Sequence, residues 1–179
     1  FAHTVGVSAT IFYDPVGRIV GTLQPNHTRE KVVFDPWRQE TWDFNDTILH
    51  DDPRTDPDVA NFFERLPETD YLPSWHSLRS DGQFGDTPAQ RQAEQSAAEG
   101  AAIHANTPEI AWFDSLGRAF LTIVDNRFER EGTVINEQYA TRFELDIEGL
   151  QREIRDARDR LVMRYDYDLA GRQIHSASM

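Results

Sequence analysis

Two aspartates near the end of the chain have the types and spacing of a glycosidase acid pair. Asp166 and Asp168 flank Tyr167, and alternate residues of an extended strand lie on one face. Asp168 also begins a tight-turn motif, which accounts for its type without catalysis. The sequence contains neither a Gly-x-Ser-x-Gly elbow nor a phosphate loop. We therefore predict no catalytic residue and no enzymatic activity.

A second acidic group could bind a metal ion, because hard oxygen ligands suit Ca²⁺. It consists of His50, Asp51, Asp52, Asp56 and Asp58. The spacing fits no EF-hand loop, and Pro53 and Pro57 interrupt it. A solvated loop with Asp56 as a helix cap explains the same residues. No histidines stand at a metal-binding spacing, so we predict no metal and no cofactor.

The charge of the chain excludes several classes of partner. The 179 residues include 18 Lys+Arg and 31 Asp+Glu, which give a net charge of -13. Nucleic acids and anionic membranes attract positive charge, so we expect neither as a partner. No apolar run reaches the ~18 residues of a membrane span, and we predict no direct membrane insertion. The chain has no cysteine, which removes disulfides and thiolate sites.

An internal repeat predicts the elements that position these residues. Segments 13–18, 113–118 and 167–172 share an aromatic residue, Asp, two variable residues, Gly and Arg. Segments 34–39 and 145–149 are degraded copies. The predicted structural turn residues are Tyr13, Asp14, Gly17, Arg18, Phe34, Asp35, Phe113, Asp114, Gly117, Arg118, Asp146, Gly149, Tyr167, Asp168, Gly171 and Arg172.

The repeat predicts β-hairpins. Asp at the first turn position can accept backbone N–H bonds, and Gly three residues later supplies the left-handed conformation of a bulged hairpin. The flanks alternate between apolar and other residues, which is typical of strands with one buried face. These alternating residues are Val5, Val7, Ala9, Ile11 and Tyr13 before the first turn, and Ile19, Gly21 and Leu23 after it. Later strands are marked in the same way by Tyr139, Thr141, Phe143 and Leu145, and by Leu161, Met163, Tyr165 and Tyr167.

The repeat stops between residues 50 and 108, where we predict a helical insertion. A first helix over about 56–66 begins at Asp56-Pro57, and Val59, Phe62, Phe63 and Leu66 form its apolar stripe. A second helix over about 87–105 begins with a Thr87-x-x-Gln90 capping box. The chain thus divides into repeats over 1–49, the insertion over 50–108, and repeats over 109–179.

Two aromatic residues between these helices are candidate interface anchors. Tyr71 and Trp75 are of the types that dominate contact energies. Packing onto the chain's own sheet explains them equally well.

The repeat resembles the Rhs or YD repeat, named for its Tyr-Asp pair, as in Tyr13-Asp14 and Tyr167-Asp168. The run Phe-Asp-Pro-Trp-Arg-Gln-Glu-Thr-Trp over 34–42 is similar to the Rhs region of the B component of insecticidal toxin complexes. Residues 66–75 and the run Arg-Tyr-Asp-Tyr-Asp over 164–168 are similar to the same Rhs region. The resemblance covers nearly the whole chain. Two copies depart from the pattern, with Arg38-Gln39 in place of Gly-Arg and Leu150 in place of Arg.

This resemblance implies a mainly β fold in which antiparallel YD hairpins form part of a shell-like sheet. It also implies a structural function, as one segment of a larger bacterial shell that encapsulates a toxic effector. The implied partners are the remainder of the parent shell, the effector and, through the parent, a pore-forming component. The implied localisation is secreted or at the cell surface. An alternative function is a carbohydrate-binding or protein-interaction module, in which Tyr71, Trp75, Trp42 and Trp112 would stack on sugars.

Overall fold

The computed structural model describes residues 8–179 and is mainly antiparallel β, as the repeat predicts. Ten strands follow the order of the chain in the sheet. They are β1 Thr10–Tyr13, β2 Ile19–Leu23, β3 Arg29–Phe34, β4 Arg38–Trp42, β5 Glu109–Phe113, β6 Ala119–Arg130, β7 Thr133–Leu145, β8 Gln151–Arg155, β9 Leu161–Tyr167 and β10 Gln173–Ser178. Val5 and Val7 of the first predicted strand lie outside the described residues.

Three α-helices lie between β4 and β5, within the predicted insertion. They are α1 Ala60–Phe63, α2 Trp75–Ser80 and α3 Pro88–Ile103, with 3₁₀ turns at Pro53–Thr55 and Glu68–Asp70. The prediction of α3 is confirmed, including the capping box between Thr87 and Gln90. α2 was not predicted from the sequence. It is capped by Ser74, whose side chain accepts a hydrogen bond from the Ser77 backbone N–H.

The first predicted helix is much shorter than expected, although Asp56 makes the predicted capping contact. α1 has only four residues, and the residue before it, Val59, makes no side-chain cap. Oδ1 of Asp56 accepts the Asp58 backbone N–H at 3.2 Å, and the Asp56 carbonyl accepts the Ala60 N–H at 2.9 Å, as in a helix cap. Both carboxylate oxygens of Asp56 also accept hydrogen bonds from Lys31. The same carboxylate therefore serves both the local cap and a tertiary ion pair, and the local pattern predicted only the cap.

The chain forms two compact units. The first contains the residues up to Val33, Thr41–Pro108 and Arg127–Ile135, and the second contains Phe34–Glu40, Glu109–Asn126 and Asn136–Met179. These units do not follow the three sequence segments, since each unit takes residues from both sides of the insertion.

The core of the first unit joins the first hairpin to the insertion. Phe12, Leu23, Val59, Phe63 and Tyr71 are buried together. Phe62 and Leu66 pack against them, so the predicted apolar stripe is core. Phe63 lies between the rings of Phe12 and Tyr71, with centroids 5.1 and 5.2 Å away.

The buried face of β1 is opposite to the predicted one. Ile11 and Tyr13 are exposed, whereas Phe12 between them is buried. The reason is that the insertion covers the face that carries Phe12, which contacts Phe62 and Phe63. Alternation identifies a strand and its two faces, but the face that becomes covered depends on a segment distant in sequence.

The second unit is a sheet without a buried core, since none of its residues falls in the buried class. In β7, β8 and β9 the register aligns Phe143, Ile154 and Met163 on one face. Glu144, Glu153 and Arg164 are aligned on the other face. A sheet usually buries its apolar face against another layer, and no such layer occurs within this unit.

Candidate functional site

The repeated aspartates build the same hydrogen-bonded turn. In Asp14, one carboxylate oxygen accepts the backbone N–H groups of Val16 (3.0 Å) and Arg18 (2.9 Å). The backbone closes the turn, because Asp14 N–H donates to the Arg18 carbonyl and Gly17 N–H donates to the Asp14 carbonyl. Gly17 has a φ of +85°, in the left-handed region that Gly adopts readily. The corresponding bonds recur at Asp114, Asp146 and Asp168.

The arginine after the glycine completes the turn. Its Nε donates to the second carboxylate oxygen of the aspartate, at 2.7 Å from Arg18 to Asp14 and 2.8 Å from Arg172 to Asp168. The motif thus satisfies both carboxylate oxygens and several backbone groups locally. This explains why Asp and Arg occur together in the repeat.

The degraded copies keep part of this geometry. At Asp146 the expected arginine is replaced by Leu150, and the Nε of Arg152 takes its place at 2.7 Å. The turn at Asp35 is one residue shorter, since Asp35 N–H donates to the carbonyl of Arg38.

Sequence reasoning missed one complete turn of this kind, which begins at Asp156. Its carboxylate accepts the backbone N–H groups of Arg158 and Arg160, and the Nε of Arg160 at 2.7 Å. Asp159 stands where the repeat has Gly, with a φ of +60°. Asp and Asn tolerate this conformation better than most residues. A search for Asp-x-x-(Gly/Asp/Asn)-Arg would have found it.

The turn hydrogen bonds lower the pKa of these carboxyl groups. In Asp114 and Asp168 the largest cause of the lower pKa is a bond from the backbone N–H of the arginine. In Asp156 it is the bond from the Arg160 side chain, and the pKa falls to about 2. In Asp14 and Asp146 desolvation is the largest influence and raises the pKa, but the hydrogen bonds together outweigh it.

We expect Asp156→Asn to destabilise the chain at neutral pH by an amount that disappears in acid. The folded pKa of Asp156 is about 2 against an ordinary value of 3.8, so its stabilisation is present above about pH 4. It is lost as the pH falls through the folded value. Urea midpoints of the native chain and the variant should converge between about pH 4 and about pH 2. A constant difference over this range would contradict the prediction, and Asp166→Asn, outside the turns, is the control.

Neighbouring turns of the second unit contact one another. A Cβ added to Gly149 would lie 2.7 Å from Nη1 and 2.9 Å from Cδ of Arg118. A Cβ on Gly171 would lie 3.7 Å from Leu150. The turns at Asp114, Asp146 and Asp168 therefore lie side by side.

Gly149→Ala should destabilise the chain more than Gly117→Ala. Both glycines have positive φ, at +88° and +73°, so an alanine at either position is destabilised by roughly 1 kcal/mol of left-handed backbone strain. Only at Gly149 must the Arg118 side chain also move, which disturbs its ion pair with Asp114. Urea unfolding measures the free energy of unfolding of both variants. If both lost the same amount, the contact between the turns would not contribute to stability.

Two carboxylates of the acidic group, Asp56 and Asp58, bind the ammonium group of Lys31. Lys31, the only lysine, is buried on β3, and its Nζ donates to both oxygens of Asp56 at 2.9 Å and to Asp58 at 2.7 Å. It also lies 4.6 Å from the centroid of the Trp42 ring. Desolvation is the largest influence on the pKa of Asp56 and raises it, but the hydrogen bonds from Lys31 and the Asp58 N–H and the charge of Lys31 together outweigh it, so the pKa is lowered. This cluster attaches the insertion to β3.

The remaining acids of the group also have partners. Asp51 accepts a hydrogen bond from Ser74 at 2.6 Å, and Asp52 accepts one from the Arg54 backbone at 2.9 Å. Within residues 8–179 no group of three or more side chains is arranged to hold a metal ion.

Asp166 of β9 and Asp168, which follows the strand, both have local partners. Asp168 binds Arg172 in its turn, and Asp166 lies 3.3 Å from Nδ1 of His175. The pKa of Asp168 is lowered, chiefly by the backbone N–H of Arg172, whereas a glycosidase general acid needs a raised pKa.

The aromatic residues proposed as interface or sugar-binding positions either make cation–π contacts or lie in the core. Tyr71 lies in the core of the first unit. Trp75 is half-buried, with the Arg79 guanidinium carbon 4.4 Å from its ring centroid. Lys31 lies over Trp42, and Arg38 lies over Trp112 at 5.6 Å. Each of these rings thus has a partner within its own unit.

The hairpin sheet with its insertion is a fold shared with solved Tc toxin structures. A structure of the Photorhabdus luminescens Tc holotoxin pore matches 96% of this chain with a TM-score of 0.59 and 17% identity. A TcdB2-TccC3-Cdc42 structure matches 96% with a TM-score of 0.60 and 18% identity. TcdB2-TccC3 without its hypervariable C-terminal region matches 95% with a TM-score of 0.58 and 18% identity.

The chain therefore has the fold of a segment of these toxin structures. It spans 6% of the length of each of the three chains that it matches. No protein-family model and no curated protein matches it.

Proposed function

We propose that the chain is a structural segment of the Rhs-repeat shell of a bacterial toxin complex that encapsulates a toxic effector. The observation that carries the proposal is the series of side-by-side Asp-Arg turns in a sheet unit with no buried core. Such a unit is suited to form a wall, because it repeats one local structure and presents both faces of the sheet. The fold similarity to Tc toxin structures supports the same role.

The proposal extends to partners and localisation. The partners are the remainder of the parent shell, the effector and, through the parent, a pore-forming component. The complex is secreted or lies at the cell surface, and the segment binds no nucleic acid, in keeping with its charge of -13. Among the described residues, no helix has the length and apolar character needed to cross a membrane.

The segment has no enzymatic activity of its own under this proposal. The strongest catalytic candidates, Asp166 and Asp168, contact His175 and Arg172, and the turn accounts for Asp168. Replacing both by asparagine should leave the hydrolysis of a broad glycoside panel unchanged. A loss of activity in that variant would refute this part of the proposal.

Protection of the effector tests the shell function directly. The full-length parent, expressed with its effector, should keep the effector resistant to protease under conditions that digest the free effector. Asp114→Ala, Asp146→Ala and Asp168→Ala in the parent remove three adjacent turn networks and should increase digestion. Asp166→Ala on β9 is the matched control. An effector digested equally with and without the native parent would overturn the proposal.

A further inference from the structure

Four turns of the second unit expose a large apolar side chain at their tips. We call these side chains the tip row: Trp37, Leu116, Ile147 and Leu169. Trp37 is 54% exposed, Leu116 71% and Ile147 96%, and Leu169 is fully exposed. Turn positions usually carry polar residues or glycine and proline. Because these side chains are so exposed, packing within the unit does not explain them.

The tip row lies along one end of the sheet. Strands that follow chain order in an antiparallel sheet place every second turn at the same end, and these turns follow β3, β5, β7 and β9. Contacts between neighbouring turns support this placement, because Arg118 lies against Gly149 and Leu150 lies against Gly171. The Trp37 carbonyl accepts the Phe113 N–H at 2.8 Å. Successive tips should stand about 10 Å apart, which is two strand spacings.

The turn at the other end of this unit differs. The turn between β8 and β9 has the same Asp-Arg geometry, but its exposed tip is Ala157 and Arg158. The hydrogen-bonded turn therefore does not require an apolar tip. The apolar residues are confined to the turns at one end, which indicates a surface with a function of its own.

Most charges in the turns that carry the tip row are paired, and exposed Glu148 beside Ile147 adds one carboxylate without an ion pair within residues 8–179. Asp114 pairs with Arg118, Asp146 with Arg152, and Asp168 with Arg172. The whole chain carries a charge of -13, so two copies repel one another over most of their surface. The tip row is a surface where two copies can approach with little of this repulsion, because its turn aspartates are paired.

We propose that the tip row is a self-association surface, on which the tip row of a second copy docks. A second copy offers the same spacing of about 10 Å, so that a two-fold axis can set the tips of one row between those of the other. Four side chains bury less than the roughly 800 Å² per partner of a standard interface. The dimer is therefore weak and forms in a concentration-dependent manner.

Light scattering on size-exclusion fractions and sedimentation velocity test this inference on the 179-residue chain. The average molar mass of the native chain should rise from 20.6 kDa towards twice that value as the protein concentration increases. Leu116→Ser, Ile147→Ser and Leu169→Ser together should keep it at 20.6 kDa at all concentrations. The melting temperature should change little, because the replaced side chains are exposed.

The matched control replaces exposed apolar residues outside the tip row. Val134→Ser and Ile174→Ser remove side chains on β7 and β10 that are 57% and 66% exposed, and they should leave association unchanged. A native chain that stays monomeric throughout would overturn the inference. So would association of the triple variant at the native level, which would assign the contact to a sheet face or edge.

Discussion

Lys31→Met should lower the free energy of unfolding by about 3–5 kcal/mol, the loss expected when one partner of a buried ion pair is removed. Lys31 and Asp56 are both buried, with side chains 5% and 1% exposed. The variant keeps the size of the side chain but leaves the Asp56 carboxylate without its cation. It also removes the positive charge 4.6 Å from the Trp42 ring. Urea unfolding at neutral pH, followed by circular dichroism and tryptophan fluorescence, measures the loss.

Two further variants separate the buried pair from ordinary surface charge. Lys31→Met combined with Asp56→Asn should recover part of the stability, because a neutral amide is less costly to bury than an unpaired carboxylate. Arg54→Met removes ion pairs to Asp52 and Glu68 on the surface of the same insertion, and it should have little effect. A Lys31→Met variant as stable as the native chain would show that the cluster does not hold the insertion.

Phe63→Ala should also lower the free energy of unfolding by about 3–5 kcal/mol, as is typical of large-to-small changes in a core. Phe63 is buried between Phe12 of β1 and Tyr71 of the insertion. Its removal opens a cavity where these two segments meet. Chemical denaturation and proteolysis of the insertion measure the effect, since a loosened insertion should be cleaved more rapidly.

Phe120→Ala is the matched control for this cavity. Phe120 lies on β6 in the second unit and is exposed, so its truncation leaves no enclosed cavity and should cost less than about 1 kcal/mol. If the two variants lost equal stability, the contact between β1 and the insertion would not be the main source of stability in the first unit.

The local hairpins are the part of the fold that the sequence predicted best. Asp14, Gly17 and Arg18 form a turn from residues at most four positions apart, so their types and spacing are sufficient. The same holds for α3, whose capping box is a local motif. The turn at Asp156 was missed for an equally local reason, since Asp159 supplies the positive φ usually given by glycine.

Features that join distant segments were decided by tertiary structure. The covered face of β1 depends on Phe62 and Phe63, about fifty residues later, and so its alternation could not determine which face is buried. Asp56 was expected to cap a helix and does accept the Asp58 N–H, but the sequence did not show that Lys31, 25 positions earlier, binds the same carboxylate. The Lys31 cluster gave no sequence signal, because lysine is usually a surface residue.

The sequence by itself therefore determined the repeat, its turns and the mainly β class of the fold. These rest on hydrogen bonds between residues close in the chain. Only the tertiary structure decided the buried face of β1, the ion pair of Lys31 with Asp56, and the alignment of Leu116, Ile147 and Leu169 at one end of a sheet. Each of these depends on which segments meet in space, and contacts of that range are selected by the packing of the whole unit.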